Sequence, residues 1–61
     1  MTEGIKSKIY EFLLRNRGRE FTVEEIAKAI NEPRISVVKA QLTRLVKEGK
    51  VIKEKDKYRV I

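Results

Sequence analysis

A helix start at Thr22 and a proline at position 33 stand eleven residues apart, and this pair constrains the fold more than any other feature of the chain. Thr22 can accept from the Glu25 N–H while the Glu25 carboxylate reaches back to the Thr22 N–H, the reciprocal pattern of a capping box. Phe21 and Ile26 sit where a hydrophobic staple would close around that start. Pro33 has no N–H to donate and its ring clashes with the preceding turn, so a helix begun at Thr22 cannot run through it. At the first position of a new helix the same proline costs nothing. The second helix is therefore short and ends near Asn31, a turn falls at Asn31-Glu32, and a third helix opens at Pro33.

The flanking segments complete the pattern. Apolar residues at Ile5, Ile9, Phe12 and Leu13 follow the spacing of one helical face, which predicts a first helix from Thr2 to about Arg15. Gly18, within Arg17-Gly18-Arg19, can take the left-handed conformation that closes it, and a short extended piece, Glu20-Phe21, follows. In the second helix Val23, Ile26, Ala27 and Ile30 supply a buried face, and Ala27 and Ala29 permit a close helix crossing. The third helix buries Ile35, Val38, Leu42, Leu45 and Val46 and ends at Gly49. Its other side carries Val37, Ala40, Arg44 and Lys47, flanked by Ser36, Lys39, Gln41 and Thr43. Beyond Gly49 the apolar period changes from the helical value to alternation. Strands Val51-Ile52-Lys53-Glu54 and Tyr58-Arg59-Val60-Ile61, joined by a tip Lys55-Asp56-Lys57, make a hairpin. Ile52, Tyr58 and Val60 are expected to face the helices, and Lys53, Lys57 and Arg59 to face outward.

The chain has 61 residues, enough for one small domain over 1–61. It has neither cysteine nor histidine, so disulfides, the usual zinc sites and a side chain titrating near neutrality are all excluded. No apolar run is long enough to cross a bilayer or to form a signal-peptide core, and the expectation is a soluble, intracellular protein. Charged residues make up 39% of the chain and are mostly Lys, Glu and Arg, a bias also found in proteins from hot environments. The net charge of +6 is concentrated: residues 1–32 carry six basic and six acidic side chains, residues 33–61 nine basic and three acidic. A polyanion-binding half has this asymmetry.

The order helix, strand, helix, helix, two-stranded hairpin, with FTVEEIAKAINEPRISVVKAQLTRLVKEGKVI over Phe21 to Ile52, resembles the winged helix-turn-helix family in a small archaeal or thermophilic form. The matching motifs are the capped second helix, the tight turn, a third helix spaced V-x-x-x-L-x-x-L, and the E-G-x-V-I run into the hairpin. The resemblance implies an α+β, mainly α fold of three helices and a small antiparallel sheet, ordered H1-S1-H2-H3-S2-S3. It also implies a transcription regulator that binds double-stranded DNA, with helix 3 in the major groove and the wing on the backbone. Z-DNA-binding members share a K-x-G-K turn, here Lys47-Glu48-Gly49-Lys50. They place an Asn and a Tyr on helix 3 where this chain has Lys39 and Thr43, and a Trp in a wing that here has none. Ordinary B-form DNA is the better expectation.

On that reading the candidate helix contacts are Arg34, Ser36, Val37, Lys39, Ala40, Gln41, Thr43, Arg44 and Lys47. Small groups let the backbone sink into the groove while long polar ones reach bases and phosphates. Arg34, at the start of helix 3, is a backbone contact or else the partner of Glu32. Lys53, Lys55, Lys57 and Arg59 are the wing contacts, although lysines on an exposed strand also discourage edge-to-edge aggregation. Tyr10 and Leu14 lie off the first helix's apolar stripe, as a homodimer contact or as a surface that the C-terminal strand covers. Glu24 and Glu25 answer the helix dipole, Ser7 and Ser36 have no histidine to activate them, and no phosphate-binding glycine loop is present. Neither enzymatic chemistry, a metal nor a cofactor is expected, and the location implied is the nucleoid in the cytoplasm. The competing reading is a winged-helix protein-interaction module within a transcription or replication assembly. RNA is a weaker third, because the aromatic residues serve the core and offer no stacking platform.

Overall fold

The structure, a computed structural model, describes residues 2–61. It contains helix α1 (Thr2–Arg15), strand β1 (Phe21–Thr22), helix α2 (Val23–Ala29), helix α3 (Ile35–Lys47) and strands β2 (Val51–Glu54) and β3 (Lys57–Val60). The three strands form one antiparallel sheet in the order β1-β3-β2. This is an α+β arrangement dominated by helix, with the element order expected from the sequence.

Helix ends are where the sequence speaks most directly. The Thr22 side chain accepts from the Glu25 N–H at 3.2 Å while a Glu25 carboxylate oxygen accepts from the Thr22 N–H at 2.8 Å, which completes the capping box. At the other end of α2, Asn31 adopts φ 60°, Glu32 N donates to the Ala27 carbonyl at 2.8 Å and Asn31 N to the Lys28 carbonyl at 3.2 Å. This is a Schellman closure with asparagine in the left-handed position usually given to glycine. It ends α2 two residues before the expected Asn31. Helix α3 closes in the same way, with Gly49 at φ 77°, Gly49 N donating to the Val46 carbonyl at 3.0 Å and Lys50 N to the Leu45 carbonyl at 3.0 Å. Pro33 is not the first residue of α3, because Arg34 is the N-cap and the helix starts at Ile35. The Glu32 carboxylate accepts from the Arg34 N–H at 3.0 Å beside that start, which falls two residues later than expected.

The core gathers Ile5, Ile9 and Leu13 from α1, Ile26 and Ala27 from α2, Val38, Leu42 and Leu45 from α3, and Val51, Tyr58 and Val60 from the sheet. Each of the fully buried aliphatic side chains contributes roughly 1.5–3 kcal/mol through removal from water. Phe12 and Phe21 pack ring to ring at 4.7 Å beside this cluster, which ties β1 to α1. Ile35, expected in the buried stripe, is 38% exposed at the first residue of α3.

The sheet corrects the expected hairpin in one respect with several consequences. The tip is a two-residue turn, Lys55-Asp56, and Lys57 already belongs to β3, opposite Glu54. Shortening the loop by one residue shifts the pairing, and a shift of one exchanges the faces of one strand relative to the other. Val51 therefore stands opposite Val60 and Lys53 opposite Tyr58, on the core face. Val51 is buried, whereas Ile52 is only half-buried and lies on the other face, beside Arg59.

Candidate nucleic-acid interface

Helix α3 presents a row of exposed, mostly polar residues. Ser36, Lys39, Ala40, Thr43, Arg44 and Lys47 are all exposed, and their spacing of three and four residues sets them in one row along the helix. Val38, Leu42 and Leu45 occupy the opposite side and are at most 1% exposed. No carboxylate occurs anywhere in α3, so the three cations on this face meet no acidic neighbour on their own helix. Thr43 Oγ1 donates to the Lys39 carbonyl at 3.0 Å, which commits its only proton to the helix.

Two residues expected on this face are elsewhere. Gln41 is 4% exposed, a buried polar residue among the core side chains, because at 100° per residue it falls beside Leu45 and away from Ala40. Val37 is half-buried and packs against the core at the margin of the face. A count of helical angles would have found both, since Gln41 lies three residues from Val38 and four from Leu45.

Arg34 is exposed and pairs with Glu32 at the surface. Its Nε donates to Glu32 Oε2 at 2.8 Å and a second guanidinium nitrogen lies 3.5 Å from Oε1. The hydrogen bonds from the Arg34 side chain and backbone hold the Glu32 carboxyl below the usual carboxylate range, and the carboxylate raises the Arg34 guanidinium in turn. The positive start of α3 thus already has the neighbouring Glu32 carboxylate beside it, the ion pair that the sequence offered as the alternative to a phosphate contact.

In the hairpin the four expected cations divide. Arg59 is half-buried and lies between two carboxylates, Glu54 at 3.7 Å and Glu20 at 3.9 Å. The outer face of the sheet is accordingly near neutral and does not form the basic face expected of it. Lys53 is on the core face, exposed at the sheet edge, with its Nζ 5.9 Å from the centre of the Tyr58 ring. Lys55 and Lys57 are exposed at the tip. Among the described residues, none of these three lysines pairs with a carboxylate. The basic character of the hairpin resides in its tip and its free edge.

Tyr10 is half-buried against the core, with Lys50 Nζ 5.6 Å from its ring centre, while Leu14 is 38% exposed. Lys6 and Lys50 both pair with Glu48, and Lys6 above all lowers the pKa of its carboxyl. This cluster fastens the start of α1 to the end of α3, a connection that no local pattern in the sequence indicates.

Fold and surface together define a small α+β domain whose third helix presents a continuous cationic row. Compared with protein-family models, with curated proteins and with solved structures, the chain matches none. Among the described residues no helix is long and apolar enough to cross a membrane.

Proposed function

We propose that this chain is a winged helix-turn-helix domain acting as a transcription regulator on double-stranded DNA at the nucleoid. Helix α3 enters the major groove, with Lys39, Arg44 and Lys47 as its cationic contacts and Ser36, Ala40 and Thr43 as the small groups that allow close approach. Lys53, Lys55 and Lys57 hold the phosphate backbone. The single observation carrying this reading is the α3 row: six exposed residues on one side of a helix that has three cations and no acid. A helix whose outer face served only solvation would carry both signs, as α1 does with Lys8, Glu11 and Arg15.

The test is a titration of duplex DNA against salt. Neutralising about five phosphates gives a slope of log affinity against log salt of roughly −4 to −5. A flat dependence overturns the reading. Replacing Lys39 and Arg44 together by Glu separates it from a protein-docking role, for which exposed Leu14, Ile35 and Ile61 are the available apolar groups. Lost DNA binding with an unchanged circular dichroism spectrum supports the DNA role, and unchanged affinity supports docking.

A further inference from the structure

The basic half of the chain holds three arginines, Arg34, Arg44 and Arg59, and their surroundings differ. The Arg34 guanidinium is held by Glu32, and that of Arg59 lies between Glu20 and Glu54. Arg44 is exposed in the last turn of α3, and among the described residues no carboxylate pairs with it. Two of the three guanidinium groups are thus ion-paired within the chain, Arg34 by a hydrogen bond at the surface and Arg59 at 3.7 and 3.9 Å, and Arg44 alone has no carboxylate partner among the described residues. Its neighbours add chemistry of a definite kind. One turn back stands Ala40, which presents a methyl group. Adjacent Thr43 has given its proton to the Lys39 carbonyl and offers no donor outward.

We infer that Arg44 is the residue that sets sequence preference, by reading guanine in the major groove of a B-form duplex, with Ala40 and Thr43 against the methyl group of a neighbouring thymine. This rests on the duplex-DNA reading above and assigns roles within it. The guanidinium fork matches the N7 and O6 acceptors of guanine in two parallel hydrogen bonds, whereas a lysine ammonium is a point charge suited to phosphate. Lys39 and Lys47, on either side of Arg44 in the row, supply affinity and little selectivity. Duplex RNA is disfavoured because its major groove is too narrow for a helix and its uracil lacks the methyl.

The experiment begins with selection of bound sites from random duplexes by the wild-type chain. Affinities of wild type, Arg44→Lys and Lys47→Ala are then measured at one salt concentration on the selected site and on a scrambled duplex. The selected site is also made with 7-deazaguanine, which removes the N7 acceptor, and with deoxyuridine for thymine. The expected motif contains guanine beside thymine. Arg44→Lys keeps its affinity for scrambled DNA and loses roughly 5- to 150-fold on the selected site, the range for one bidentate base contact. The 7-deazaguanine site weakens wild type and leaves Arg44→Lys unchanged, the deoxyuridine site weakens both, and Lys47→Ala weakens both duplexes alike. A motif without guanine, or wild-type affinity of Arg44→Lys for the selected site, overturns the assignment. Salt-dependent binding with no sequence preference overturns this inference alone, and absence of any duplex binding overturns the DNA reading with it.

Discussion

Three single substitutions separate the effect of net charge from that of charge placement. Lys39→Ala and Arg34→Ala each lower the formal charge by one, so a mechanism that senses only the total predicts the same consequence for both. Their surroundings are not the same. Lys39 is exposed on the α3 row, whereas Arg34 is bound to Glu32 at 2.8 Å. If, as proposed, about five phosphates are neutralised, the expected wild-type slope is near −4.5, with affinity falling about 500-fold between 50 and 200 mM salt. Lys39→Ala removes one contact, taking the slope to about −3.6 and that fall to about 150-fold. Arg34→Ala removes no contact and leaves the slope unchanged, whatever uniform weakening the uncovered Glu32 carboxylate brings. Glu32→Gln gives the opposite sign, because it releases the Arg34 guanidinium to a phosphate; the slope steepens to about −5.4 and the fall approaches about 2,000-fold. Fluorescence anisotropy of a labelled duplex across a salt series reads all three. Equal slopes for Arg34→Ala and Lys39→Ala would refute the reasoning, since pairing within the protein would then have no bearing on binding.

Further outcomes concern the fold itself. Thr22→Ala removes the side-chain acceptor of the capping box and should cost about 1 kcal/mol in urea denaturation, with an unchanged midpoint counting against a role for the box. Gly49 at φ 77° and Lys55 at φ 56° make a reciprocal pair. No heavy atom lies within 4 Å of a methyl group added at Gly49, so Gly49→Ala isolates the left-handed penalty; a loss of about 1 kcal/mol is expected, while Lys55→Gly should gain up to about that amount. The Glu48 carboxyl is held below its ordinary pKa, chiefly by its hydrogen bond from Lys6. Its contribution is therefore complete above the unfolded-state value and is lost as pH falls through the lowered folded one. Stability of Glu48→Gln measured from neutral pH down through the carboxylate range should fall less steeply than that of the wild type, and parallel curves would exclude the Lys6–Glu48–Lys50 cluster as a source of acid sensitivity.

How far the sequence discloses this molecule depends on how many residues share in each inference. The faces of α3 are fixed by thirteen residues turning at a constant angle, so placing Ser36, Lys39, Ala40, Thr43, Arg44 and Lys47 on one side survives an error at any single position. The misplacement of Gln41 is such an error: the residue type suggested the surface, but the angle puts it inside. Both helix starts and helix ends that were recognised, the capping box at Thr22 and the closure at Gly49, rest on side-chain or backbone preferences acting within a few residues.

The hairpin obeys a different rule. Which face a strand residue occupies is decided by parity, and parity depends on whether the tip holds two residues or three. Val51 and Ile52 are both apolar, so alternation alone does not choose between them. The ion pairs are less legible again, because Arg59 meets Glu20 only when β3 lies at the centre of the sheet with β1 beside it. These two details change where charge resides. Lys57 and Arg59 alternate with buried Tyr58 and Val60 and face outward with either tip, and a three-residue tip would have added Lys53 to them. The two-residue tip instead sets Glu54 beside Lys57 and Arg59 on a nearly neutral outer face and leaves Lys53 at the sheet edge. On the proposed DNA reading, a contact made there touches a backbone in passing and does not spread along a groove, so that reading assigns discrimination between sequences to α3.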